Sequence, residues 1–150
     1  LIAAGIYTGL RIGDIIRLTW EDLSSDKFGI TEGKTGKYRT ITVNPELSKL
    51  VQRNRGLNTG LAFITRTNKP IPVQNINVAI KKIGNKYGIK GNFSTHSLRK
   101  TFGRHVWEQD NQSERALIYL SQIFNHSGTN VTRIYLGITA SEISDIYLSL

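Results

Sequence analysis

One stretch, Phe28–Val43, constrains the fold most, because it carries the clearest strand pattern in a chain that otherwise reads as helices. Phe28-Gly-Ile-Thr-Glu32 and Tyr38–Val43 flank the turn Gly33-Lys-Thr-Gly-Lys37. In the second arm Tyr38, Thr40 and Thr42 alternate with Arg39, Ile41 and Val43. Period-two alternation beside a glycine-flanked turn predicts an antiparallel hairpin with one buried face. The flanking signals are helical. Leu1–Tyr7 is an apolar helix end closed by Thr8-Gly9. A short helix opens near Gly13, with Asp14 in its first turn and Ile15, Ile16 and Leu18 following. Asn44-Pro45 starts a helix running to Arg55, since Asn accepts from orphan amides and Pro suits the first turn. Val73–Tyr87 carries the stripe Val73, Ile76, Ala79, Ile80 and Ile83. Further helices are expected from Ser94/Thr95 to Trp107 and from Ser113-Glu114 to Phe124, with a short helix or turn over Thr129–Tyr135. Thr139 and Glu142 predict a capping box for a last amphipathic segment carrying Ile143, Ile146, Tyr147 and Leu150. Leu61–Ile64 is a candidate short strand. The expected class is α+β, mainly α: one helical domain over residues 1–150 with a small antiparallel hairpin.

At 150 residues the chain is long enough to bury a core, and no repeat, linker or composition shift divides it. It has no Met and its helical pattern is under way at the first residue, so a piece of a longer protein is expected. No run approaches the roughly 18 apolar residues of a membrane-spanning helix. No charged-then-apolar leader is visible. The absence of Cys removes disulfides and thiolate metal sites. The net charge is +9, and the basic residues gather in Lys34–Arg39, Arg53–Arg55, Lys81–Lys90 and Arg99–Arg104. Such a surface suits a polyanion, nucleic acid being the commonest, although a merely basic surface is the ordinary alternative. Aromatics are few and scattered, which disfavours a single-strand stacking platform and points to a duplex backbone.

Four features occur in a telling order. Thr8-Gly-Leu-Arg11 places an arginine at a helix junction; Lys34 sits in the hairpin turn; His96-Ser-Leu-Arg99 opens a helix; and His126 is followed nine positions later by Tyr135. Each has an everyday structural explanation. Arg11 could tie down carbonyls or Asp14, Lys34 could be solvated, His96 and Arg99 could be a surface pair, and Tyr135 could be packing. Together they fit phosphodiester transesterification. Two arginines clamp the charge on the non-bridging oxygens. A tyrosine phenol attacks and preserves the diester's energy as a phosphotyrosine. With an ordinary pKa of about 10, that phenol needs a nearby base or strong oxyanion contacts. A mobile lysine protonates the leaving 5′ oxygen, and histidines exchange protons near neutral pH. Asp14, Asp22 and Asp26 form no divalent-metal pattern, so neither metal nor other cofactor is expected.

The order Arg, Lys, His-x-x-Arg, His, Tyr resembles the catalytic domain of tyrosine recombinases, the phage integrase family. Thr8–Asp14 resembles the first arginine box, Gly33–Arg39 the β2–β3 hairpin, and His96–Phe102 the His-x-x-Arg box. Phe124–Gly128 and Thr132–Tyr135 are similar to the last histidine and the nucleophile. The resemblance implies that Arg11, Arg99 and His126 bind the scissile phosphate, Lys34 is the general acid, and His96 serves in acid/base or phosphate contact. It implies that Tyr135 forms a 3′-phosphotyrosine, and that strand exchange passes through a Holliday junction without metal or nucleotide cofactor. Duplex DNA bearing a recombination site is the implied partner, in a homotetramer assembled through the segment Ser141 to Leu150 or with that segment packed in cis. A cytoplasmic protein at the bacterial nucleoid is implied as well. The family's N-terminal core-binding domain is expected to be absent from residues 1–150, which leaves weak, salt-sensitive DNA binding. Asn125 replaces the usual Gly before the last histidine, and Ser97 a frequent Asp. Leu136-Gly-Ile138 replaces the frequent Thr-His and is similar to integrases of mobile and conjugative elements. The alternatives are a type IB topoisomerase-like enzyme and a catalytically inert DNA-binding regulator.

Overall fold

In the computed structural model, which describes residues 1–149 apart from the side chains at 140 and 141, the hairpin forms where its alternation places it. β1 (Lys27–Thr31) and β2 (Tyr38–Thr42) pair antiparallel, with Phe28 opposite Ile41 and Gly29 opposite Thr40. Phe28, Ile41 and Val43 are buried, whereas Tyr38, Thr40 and Thr42 are exposed. The Tyr38 ring lies across Gly29, where any Cβ would sit 2.0 Å from the phenolic oxygen.

The chain divides into two compact units, one from Leu1 to Arg99 and the other from Lys100 onward. In the first, α1 (Ile2–Thr8) ends at Gly9, whose φ of 62° turns the chain towards α2 (Ile12–Ile15). That second helix is shorter than its apolar pattern, yet Leu18 beyond it is still fully buried. α3 (Trp20–Ser24) escaped the apolar periodicity because a five-residue helix shows too little of it. Its signal is a capping box: the Asp22 amide donates to Thr19 Oγ1 at 3.0 Å, and the Thr19 amide donates to Asp22 Oδ2 at 2.9 Å. α4 (Pro45–Arg55) starts as expected, with the Glu46 amide donating to Asn44 Oδ1 at 2.8 Å. Leu10, Ile15, Leu18, Leu23, Phe28, Ile41, Val43, Leu47 and Val51 pack into the main core of this unit. α5 (Val73–Lys86) buries Ile76 and Ile80 beside Leu98. Of the other stripe residues Val73 is half-buried, while Ala79 and Ile83 stay exposed and line an apolar cavity of about 640 Å³ together with residues of α1 and α4. Leu61–Ile64 is not a strand. Only single bridges form, Thr19 with Leu61 and Ile64 with Pro70, and beyond the second the chain turns back at Thr65, whose carbonyl accepts from the Asn68 amide at 3.0 Å.

α6 (Thr95–Gln109) carries the chain into the second unit. There, α7 (Glu114–Phe124) is capped by Ser113 Oγ, which accepts from the Ala116 amide at 3.1 Å, and ends at a left-handed Asn125. α8 (Thr129–Leu136) passes through Gly137, at φ 75°, directly into α9 (Ile138–Leu148). The capping box expected at Thr139 and Glu142 therefore does not form. Gly137 makes the turn, Thr139 falls inside the helix, and Glu142 accepts from Arg133 Nη1 at 2.7 Å instead. Trp107, Leu117, Leu120, Phe124, Leu136 and Ile138 make the core. Gly103 lets α6 approach them closely: a Cβ there would lie 2.6 Å from Leu136 and 2.9 Å from Phe124. On α9, Ile143, Ile146 and Tyr147 of the amphipathic pattern are exposed; Leu150 lies outside the described residues. The outcome is the mainly helical architecture with one two-stranded sheet that the sequence predicts. No helix among the described residues is long and apolar enough to cross a membrane.

Candidate active site

Arg11 is placed by the α1–α2 turn. Gly9 closes α1, the fully buried Leu10 pins the turn, and Arg11 then adopts extended backbone as the N-cap of α2. Its carbonyl accepts from the amides of Asp14 and Ile15 at 2.9 and 3.0 Å. Its side chain is 22% exposed and donates from Nη1 to Glu32 Oε2 at 2.7 Å. The acid that holds Arg11 is thus Glu32, eighteen residues further along than the neighbouring Asp14 would have been. Asp14 is itself buried and takes other donors: Arg17 Nη2 at 2.7 Å and the Gly33 amide at 2.9 Å. The second of these bonds fixes the hairpin turn to α2, so the exposed Lys34 projects from a turn whose base is anchored.

Glu32 is 1% exposed and accepts three hydrogen bonds, from Arg11, from Arg39 Nη1 at 2.7 Å and from the Thr35 hydroxyl at 2.8 Å. Burial pushes its carboxyl up, but the bonds from Arg39, Thr35 and Arg11 outweigh that and hold it below the ordinary glutamate value. Arg99, also buried, donates from Nη1 to the Gly9 carbonyl, which lies in the turn that carries Arg11. His96 stands exposed one helical turn before it. In this unit, then, Arg99, Arg11 and the turn bearing Lys34 are tied into one framework through Gly9, Glu32 and Asp14.

The second unit holds His126 and Tyr135. Asn125 accepts the left-handed conformation, φ 54° and ψ 47°, that its short polar side chain tolerates, and so fills the place of a glycine. The His126 amide donates to the Ser121 carbonyl at 2.9 Å. Its Nδ1 lies 2.9 Å from the hydroxyl of Thr132, a fully buried residue. That hydroxyl also lies 3.4 Å from the Gly128 carbonyl, so its contact with Nδ1 holds the imidazole ring in one orientation. Tyr135 follows one turn later on α8. Its ring stands edge-on to His126 and Phe124, with centroids 5.1 and 5.4 Å away, and Lys100 Nζ lies 5.3 Å over its face. Arg104 Nη1 donates to the Leu136 carbonyl at 3.1 Å and stabilises the end of this short helix. Arg133 bonds both Glu114 and Glu142.

Three residues in these arrangements are given no role in the sequence reading: Glu32, Thr132 and Lys100. Thr132 was detectable, since it lies one helical turn before Tyr135 and thus on its face. Glu32 was not, because an acid beside a glycine turn reads as solvated. Among the described residues, no group of three or more His, Asp or Glu side chains suited to a metal ion comes together.

Comparison with known proteins puts these residues in context. The family model described as the phage integrase family matches residues 2–142. A probable integrase/recombinase of Bacillus subtilis (strain 168), YoeC, is 32% identical over 142 residues, covering 92% of this chain and 76% of that protein. The chain spans about half the length of the curated XerC and XerD tyrosine recombinases that it also matches. Among solved structures, XerA recombinase superposes with a TM-score of 0.69 at 23% identity, over 97% of this chain and 55% of that one. The Tn1549 transposon integrase in complex with circular intermediate DNA gives 0.68 at 20% identity, over 97% and 58%. At these identities the two solved structures establish a shared fold.

Proposed function

Because the chain belongs to the phage integrase family, we propose that it is the catalytic part of a site-specific recombinase that cuts and rejoins duplex DNA through a 3′-phosphotyrosine. Arg11 and Arg99 hold the non-bridging oxygens of one scissile phosphate, with His126 donating to the same group. The Tyr135 phenolic oxygen attacks phosphorus, its proton passing to a base or solvent, for which His96 is the candidate. The P–O5′ bond breaks as Lys34 protonates the departing oxygen. The 5′-hydroxyl of a second strand then attacks the phosphotyrosine and releases Tyr135. No bond energy is lost, so no nucleotide hydrolysis is required.

The observation that carries this reading is that both arginines are held by fixed acceptors, Glu32 and the Gly9 carbonyl, within a framework that also anchors the turn of Lys34. A phosphate site built this way needs little reorganisation on binding. The partner is double-stranded DNA, in keeping with the DNA in the Tn1549 integrase complex. A homotetramer on DNA is supported by α9, where Ile143, Ile146, Tyr147 and Leu148 are 50–82% exposed and suit a neighbouring copy. The cytoplasm is the compartment such a substrate requires.

The test is covalent capture. The natural full-length protein is incubated with nicked suicide duplexes drawn from a randomised-core library, and SDS-resistant protein–DNA adducts are scored. Wild type forms an adduct and Tyr135→Phe, which removes only the oxygen, forms none. An adduct with the Phe variant refutes the nucleophile; failure of wild type to link to any library member favours an inert DNA-binding module.

A further inference from the structure

We infer that Glu32 is a positioning residue of the reaction, acting through Arg11. This rests on the recombinase reading above. A carboxylate 1% exposed would be unstable if unpaired, yet this one is saturated by one donor from the α1–α2 turn and two from the hairpin, Arg39 and Thr35. Arg11 is thereby fixed to the same carboxylate that fixes the residue following Lys34. The two groups that bracket the departing oxygen, a phosphate-binding guanidinium and a general acid, share one anchor. A bond between ionised partners is short and directional, so it sets where the planar guanidinium points as well as its distance.

The charge balance sharpens the idea. Two arginines surround one glutamate, so the cluster stays net positive and accepts a phosphodiester; Arg17 and Asp14 cancel one another alongside. Glu32 therefore weakens ground-state attraction to DNA while orienting Arg11 for the pentacoordinate transition state. Replacing it by an uncharged amide of the same shape separates the two effects. Binding is then retained or tightened, and only the chemical step suffers. A residue that merely stabilised the hairpin would lower both together.

The measurement uses the natural full-length protein and one suicide duplex selected by wild-type capture. For Glu32→Gln, linking at saturating DNA slows by about tenfold or more while the Kd for the duplex is unchanged or lower. In an Arg11→Ala background, Glu32→Gln then costs nothing further, because the residue through which it acts is gone. Thr35→Ala removes one donor and keeps the charge; it gives a smaller slowing of the same kind and serves if Glu32→Gln does not fold. Wild-type linking by Glu32→Gln, a loss wholly in Kd, or an equal loss in both backgrounds overturns the inference while leaving the recombinase reading intact. Failure of wild type itself to link to any library member overturns that reading, and this inference with it.

Discussion

At the scale of single residues, the proposed chemistry depends on side chains whose own partners are fixed. Thr132 is the plainest case in the second unit. Its hydroxyl holds the His126 ring in one orientation, so Thr132→Val, which keeps the shape and loses the oxygen, should cost about 1 kcal/mol of stability. It should also slow adduct formation by about tenfold, as the ring is no longer oriented towards the phosphate. Rates on a suicide duplex and a thermal melt of the same variant check both. Lys34 makes a sharper prediction. A 5′-bridging sulfur leaves without a proton, so that substrate should restore cleavage to Lys34→Ala and not to Arg11→Ala; no rescue would remove Lys34 from the acid role. Arg11, Lys34, Arg99 and Tyr135 stand out in the sequence as candidates because their spacing and order are unusual. Glu32 is invisible there, because its importance comes from a tertiary fact, burial against two arginines, that local pattern does not encode.

At the scale of elements, local rules carried the hairpin and α4, whose turn and cap residues are contiguous in sequence. They failed where a neighbour decided the outcome. Gly137 joins α8 to α9 directly and leaves Thr139 no end to cap, while the turn at Thr65–Asn68 ends the pairing next to Ile64. Gly103 is likewise an ordinary helix residue until Phe124 and Leu136 close upon it. Gly103→Ala should destabilise the second unit by about 1–3 kcal/mol, measured by chemical denaturation, since buried side chains must shift to admit the methyl. The hairpin carries a pH dependence. The Glu32 carboxyl lies below its ordinary value, so the stability it adds is present above the ordinary glutamate range and is lost as pH falls from there through the lowered value. Melting of wild type between about pH 7 and about pH 3 should therefore fall more steeply than that of Glu32→Gln.

At the scale of the whole molecule, the net charge of +9 acquires a location. Part of it stands around Glu32 and Gly9, and the rest is spread over the loops and helices α4 to α8, a distribution that suits the proposed contact with a duplex backbone. Residues 1–150 by themselves should bind duplex DNA weakly and lose affinity steeply with salt; nanomolar binding that is insensitive to salt would contradict this. The boundary between the two compact units left no trace in composition because it falls inside α6, at Arg99 and Lys100, where no linker marks it. The most direct test of the account is to locate the covalent bond. The protein–DNA adduct is trimmed with nuclease and protease, and the nucleotide-bearing peptide is sequenced by tandem mass spectrometry. The account predicts a 3′-phosphate ester on the phenolic oxygen of Tyr135 and a 5′-hydroxyl on the released strand. A nucleotide on any other residue, or a linkage through a 5′-phosphate, would contradict it.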